Sequence, residues 1–184
     1  MIIEGKKIAE EMLAEVAEEV KTLRQAQGRP LRLAAILVSG QCLEVQPLNI
    51  PEVQPHTEGL RKFLELKKKA AEKVGIGFRL YEFPADITTQ KLRKEVVKIA
   101  KAGVNNGVII ELPLPKHINT QYILNAIPPE KDVDALNPTI PDDKHPVFAP
   151  VALAIVEILQ RSNVMIEGAR AVVVGAGRLV GAPS

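Results

Sequence analysis

The chain has 184 residues, of which 46% are hydrophobic, 25% charged and 3% aromatic, and its net charge is +2. That length supports one good core with a small or incomplete second one, in a composition ordinary for a globular protein. The weak net charge and the few aromatic rings argue against nucleic acid or a membrane surface as partner. The single Cys42 excludes an internal disulfide and a zinc cluster built on cysteine pairs. His56, His117 and His145 lie far apart without ligand-like spacing, so no metal is expected. No apolar run approaches the ~18 residues of a membrane span, and MIIEGKKIAEEM lacks the apolar stretch of a signal peptide, so a cytoplasmic location is the default expectation.

Ile8, Met12, Val16, Val20 and Leu23 recur at helical spacing among Glu and Lys, which predicts an amphipathic helix over 5–26, stopped by Gly28 and Pro30. Leu31 to Val38 reads as a buried strand. The segment Gln41 to Gly59 carries three prolines and no clean period, and reads as an insertion rather than a catalytic lid. Residues 60–74 return to helical spacing and Gly77 to Phe83 is β-like. Thr88 or Thr89 caps a helix running to about Ala102, and residues 107–112 form a strand. A short helix starts at the Asn119 cap and ends before Pro128, and another runs from near Pro150 to about Arg161. Alternating β and α elements predict an α/β fold, a parallel sheet with helices on both faces. Ala171 to Val174 is a further β-like run, followed at once by Gly175, Gly177 and Gly181, a pattern close to the glycine turn of a dinucleotide-binding βαβ unit.

The stretch Gly107 to Pro138 joins a buried strand, a Leu-Pro-Leu-Pro corner and an acidic turn, Asp132-Val133-Asp134. Proline cannot donate to a ladder and restricts the residue before it, so the strand ends abruptly in a stiff loop. A rigid loop leaving a strand's C-terminal end is where open α/β sheets build their sites. On the helix 60–74, Leu60, Phe63, Leu64, Ala70, Ala71 and Val74 mark an apolar stripe with Lys67 in its middle, while Lys68 and Lys69 turn away by about 100° and 200°. Lys67 either snorkels to water or is a partly desolvated amine suited to moving protons near neutral pH. Lys67 near the start of its helix, Glu111 at a strand end and Asp134 on a loop all face the C-terminal edge of such a sheet.

These residues together resemble the bifunctional methylenetetrahydrofolate dehydrogenase/methenyltetrahydrofolate cyclohydrolase family, the FolD type. The matching text is MIIEGKKIAEE, LKKKAAEKVGI at 66–76, Gly107 to Asp134, LAIVEIL at 153–159 and IEGARAVVVGAGRLVGAP at 166–183. The resemblance implies a three-layer parallel-sheet catalytic domain over 1–148, a connecting helix and linker over 149–167, and the start of a Rossmann NAD(P)-binding domain over 168–184, with the remainder of that domain absent. It implies NAD(P)-dependent oxidation of 5,10-methylenetetrahydrofolate and hydrolysis of the methenyl product to 10-formyltetrahydrofolate, with tetrahydrofolate as the substrate carrier and a homodimer for the full-length family. Lys67 falls at the family's catalytic lysine and Asp134 at the acidic residue that holds the pterin. Pro113, Leu114 and Pro115 would wall the folate cleft, and Gly175, Gly177, Arg178 and Gly181 would hold NADP or NAD. Phe63 stands where the family commonly has Tyr, and Glu111 where it commonly has Gln. Both are assigned to the catalytic set, and a carboxylate beside Lys67 favours the ammonium form.

Overall fold

The computed structural model describes residues 3–39, 55–141 and 144–174. Helix α1 (Gly5–Gln27) ends where Gly28 turns to φ 65° and its N–H bonds to the Arg24 carbonyl at 3.0 Å, a left-handed cap that glycine enters without a Cβ clash. Strand β1 (Arg32–Val38) follows, then α2 (Pro55–Lys73), β2 (Gly77–Phe83), α3 (Thr89–Lys101) and β3 (Gly107–Ile110). After β3 come a short α4 (Thr120–Leu124), a 3₁₀ turn at Pro129–Lys131, and α5 (Pro150–Arg161). Capping chemistry fixes two of the starts. The Thr88 hydroxyl accepts the Lys91 N–H, and the Asn119 side chain accepts the Tyr122 N–H at 3.0 Å.

The three strands form one parallel sheet in the order β2-β1-β3, with Ile36 of β1 set beside Tyr81 and Ile110. Because side chains alternate along a strand, β1 feeds two cores. Ala34, Ile36 and Val38 join Val108 and Ile110 against Leu92, Val96 and Ile99 of α3 and Ile123 and Leu124 of α4. Ala35, Leu37 and Ile109 face Leu64 of α2 on the other side. A strand covered on both faces needs a continuous apolar run, and Ala-Ala-Ile-Leu-Val is one. Strand β2 is an edge, with Phe78, Tyr81 and Phe83 half-buried and Arg79, Leu80 and Glu82 exposed.

Four expectations are corrected. Helix α2 begins at Pro55, five residues inside the segment read as an insertion, because proline at a first helical position gives up only an N–H that has no intrahelical partner there. Lys67 therefore sits more than three turns into its helix, not near its start. Residues 40–54 lie outside the described residues. Strand β3 stops at Ile110, although the Glu111 N–H still bonds to the Ile36 carbonyl at 2.9 Å. Ala171 to Val174 forms no ladder among the described residues, and Val172 and Val174 are almost fully exposed. An apolar run becomes a strand only beside a partner that takes its N–H and C=O groups, and none flanks this one among the described residues.

Gly107 opens β3 at a close approach. A Cβ there would lie 2.7 Å from Val133 Cγ1 and 3.2 Å from Leu33 Cδ1. Val133 is β-branched and stiff, so the methyl cannot swing aside cheaply. Gly107→Ala is expected to cost about 1–3 kcal/mol of stability by overpacking, read as a lowered midpoint in urea unfolding; an unchanged midpoint would show that the Val133 loop yields freely.

Candidate active site

The C-terminal edge of the sheet gathers the charged residues. Glu111 follows β3 and its carboxylate is buried. Lys67 reaches it from α2: on that helix Leu64 and Ala71 are buried and Lys67 occupies the same stripe, so its stem is packed and its amine emerges at the sheet edge. Nζ donates to Glu111 Oε1 at 2.5 Å, with the lysine side chain 28% exposed and the glutamate 3%. Desolvating a carboxylate this far is costly unless a cation compensates it, and Lys67 is that cation. The Lys67 side chain is thus packed along its stem and paired at its tip.

Phe63, one turn earlier, was expected in the apolar stripe. It is 55% exposed, and Lys67 Nζ lies 4.9 Å from its ring centroid. The ring covers the amine from outside the sheet edge, an attractive arrangement for a cation over a π face.

Asp134 approaches from the loop after the 3₁₀ turn. A single parallel bridge joins Val108 to Asp132, so this loop runs alongside β3 as a one-residue extension of the sheet. Val133 packs into the α2-side core, and Asp134 follows it toward the edge. Burial pushes the Asp134 carboxyl up to about 6; the Lys67 charge opposes that rise, while Asp132 and Glu111 reinforce it. Lys67, Glu111 and Asp134 therefore share one electrostatic neighbourhood. Ala135 sits next to it at φ 53°, a left-handed conformation that a residue with a Cβ adopts only when its surroundings hold it there.

The proline corner divides its residues. The Leu112–Pro113 peptide is cis, Pro113 is exposed and Pro115 half-buried. Leu114, expected in the cleft wall, is instead buried in the α3-side core with Ile118 and Ile123. Between two prolines the backbone is rigid, so the alternation that turns Pro113 and Pro115 outward turns Leu114 in.

The family model described as tetrahydrofolate dehydrogenase/cyclohydrolase, catalytic domain, matches residues 53–134, the span that holds Lys67, Glu111 and Asp134. Over 188 residues the chain is 33% identical to the bifunctional protein FolD 2 of Arabidopsis thaliana, covering 99% of this chain and 58% of that protein. Over 187 residues it is 34% identical to a bifunctional protein FolD of Bacillus cereus, covering 100% and 59%. This chain belongs to the FolD family.

Its fold matches solved FolD structures over its whole length. The Trypanosoma brucei N5,N10-methylenetetrahydrofolate dehydrogenase-cyclohydrolase (FolD), solved with NADP cofactor and inhibitor, superposes with a TM-score of 0.83 at 29% identity, over 100% of this chain and 59% of that one. The Campylobacter jejuni FolD gives 0.80 at 25% identity, over 100% and 61%. The chain thus spans about three-fifths of the length of the FolD proteins it matches. Gly175, Gly177, Arg178 and Gly181, expected to hold the cofactor, lie outside the described residues.

Two features of this FolD-family edge escaped sequence reasoning. Asp132 is buried, accepts the Asn137 N–H at 2.7 Å and is pushed upward by its burial against that hydrogen bond and the nearby His145; Asn137 in turn donates to the Ile127 carbonyl at 2.8 Å. It positions the loop that carries Asp134. The Asp-Val-Asp spacing was the available signal, since an extended run with Val133 in the core leaves the two acids to divide scaffold and site. The second feature is an ion pair between Arg61 of α2 and Glu82 of β2, with the Ser39 hydroxyl donating to Glu82 at 2.8 Å. Among the described residues no group of three or more His, Cys, Asp or Glu could hold a metal ion, and no helix is long and apolar enough to cross a membrane.

Proposed function

We propose that this chain carries the folate side of a FolD-type active site and acts on the one-carbon bridge of tetrahydrofolate, oxidising the 5,10-methylene form and hydrolysing the 5,10-methenyl form to 10-formyltetrahydrofolate. The observation that supports it most is the meeting of Lys67, Glu111 and Asp134 at one sheet edge, within the span that the catalytic-domain family model matches. Asp134 offers a carboxylate to the paired N–H donors of a pterin. The Lys67 amine, paired with Glu111, stands over the edge and can hydrogen-bond the ring nitrogen that must be protonated as the hydrolysed bridge opens. Glu111 orients that amine, and Phe63 shields it from solvent. Pro113 and Pro115 form a wall that does not adjust.

NADP or NAD is the hydride acceptor such an oxidation requires. The glycines assigned to it begin a second, Rossmann-type unit in this reading, and every step derived above belongs to the folate side alone. A second reading is favoured by the same ion pair: with its amine held by a buried carboxylate, the domain binds folate without turnover. Following methenyltetrahydrofolate absorbance with the purified chain separates the two. Decay above the uncatalysed rate supports the enzyme; saturable binding with no decay supports the module; absence of folate binding defeats both.

Asp134 adds a pH test. Its carboxyl is raised from the ordinary 3.8 to about 6, so the folded state holds its proton more tightly than the unfolded chain. The burden of a buried carboxylate is therefore full above pH 6 and disappears as pH falls toward 4. Asp134→Asn is expected to melt higher than the parent above pH 6, with the gap closing by pH 4, in thermal melts across that range. A gap that widens in acid would contradict the assignment.

A further inference from the structure

We propose that the cleft at the opposite, N-terminal edge of the sheet is a binding site for a phosphorylated small molecule. The cleft lies where the C-terminal ends of α1 and α2 meet, and its volume of about 730 Å³ falls in the usual size range of small-molecule sites. Lys73 on the cleft lies six residues beyond Lys67 on α2, roughly 9 Å along the helix axis, and Ile36, whose carbonyl takes the Glu111 N–H, lies four residues up β1 from Arg32 at this edge, roughly 13 Å away. The two places lie at opposite edges of the sheet and share no residue.

Charge selects the ligand class. Lys21, Arg24, Arg29 and Lys73 line the cleft against a single carboxylate, Glu18. That local excess of three positive charges exceeds the +2 of the entire chain, so it is a concentration of cations and not a sample of a basic surface. Part of it answers the two helix C-termini, each equivalent to roughly half a negative charge. The remainder is unanswered: among the described residues the only ion pair in the group is the exposed Lys21–Glu18 contact at 3.7 Å. Arg29 spends one N–H on the Gly103 carbonyl at 3.2 Å and keeps its other donors.

Shape agrees with charge. Both helix ends close on glycines in left-handed conformation, Gly28 and Gly75. A Cβ on Gly75 would stand 3.4 Å from Arg24 Nη1, so glycine leaves the guanidinium approachable. Val20 and Val74 are buried and give the cleft an apolar floor beneath its cationic rim. A planar guanidinium fork beside point-charged ammonium groups suits a multiply charged phosphate with its several acceptor oxygens.

The test is titration of the isotopically labelled chain with pyrophosphate, and separately with citrate as a polycarboxylate of similar charge, following backbone amide resonances. Pyrophosphate should move the Gly28 and Gly75 amides saturably, and Arg24→Gln with Lys73→Gln should weaken binding at least tenfold without changing methenyltetrahydrofolate turnover. Lys21→Gln, an exposed change that leaves both helix ends intact, should weaken binding in the same direction if the double variant folds poorly. The proposal is overturned if millimolar pyrophosphate leaves these glycines unmoved, if the variants bind as the parent does, or if citrate binds equally well.

Discussion

Lys67→Ala is expected to lower methenyltetrahydrofolate hydrolysis by at least about 100-fold, the lower end of what a positioned proton donor or acceptor contributes. The same change should destabilise the fold. Glu111 is 3% exposed and would be left without the cation 2.5 Å away, and removal of one partner from a buried pair costs about 3–5 kcal/mol. For a domain of this size that corresponds to a melting temperature lower by roughly 10 °C. Lost turnover could then be ascribed to lost structure, and Lys67→Arg separates the two effects. A guanidinium restores the charge pairing but does not release a proton near neutral pH, so stability should return while hydrolysis does not. Hydrolysis restored by arginine would mean that Lys67 only holds Glu111 in place.

Glu111→Gln should act in the opposite direction. The amide keeps an acceptor oxygen for Lys67 but removes the carboxylate charge that pairs its amine, so hydrolysis at pH 7.5 is expected to rise. The lysine side chain is 28% exposed and its amine can turn to water, so the stability cost should remain below about 2 kcal/mol. Progress curves at matched folate concentration read the first effect and urea unfolding the second. A slower variant would assign Glu111 itself as the proton acceptor, and would turn the ion pair from a brake into part of the machinery.

Much of this arrangement was legible in the sequence, for local reasons. Gly77 and Pro84 bound β2 on both sides, and Asn119 marks the start of α4 by its capping chemistry. Lys67 was identifiable because a lysine inside a 64-71-74 stripe has to pack its stem. What failed depended on neighbours. Phe63 counts as apolar in any periodicity, yet its side of α2 faces open space at the sheet edge. Ala171 to Val174 has the pattern of a strand but pairs with no strand among the described residues. The Arg61–Glu82 pair links residues on different elements, and only the alignment of α2 over β2 brings them together. The N-terminal cleft draws its cations from both helix ends and the turn before β1, so no contiguous motif announces it.

The bridge from Val108 to Asp132 has a consequence for how a ligand is met. Backbone pairing to β3, the Asn137 N–H on Asp132 and the Lys131 amine on the Ala100 and Ala102 carbonyls at 2.6 and 3.1 Å tie the Asp134 loop to the sheet and to the end of α3. Such a loop opens with the core, not by itself, and hydrogen exchange should protect its amides alongside those of β3. The loop that carries Asp134 is thus ordered before anything binds, and association forfeits little chain freedom there. Affinity at this edge should follow the chemistry of the Asp134 carboxylate more than the flexibility of the segment that carries it.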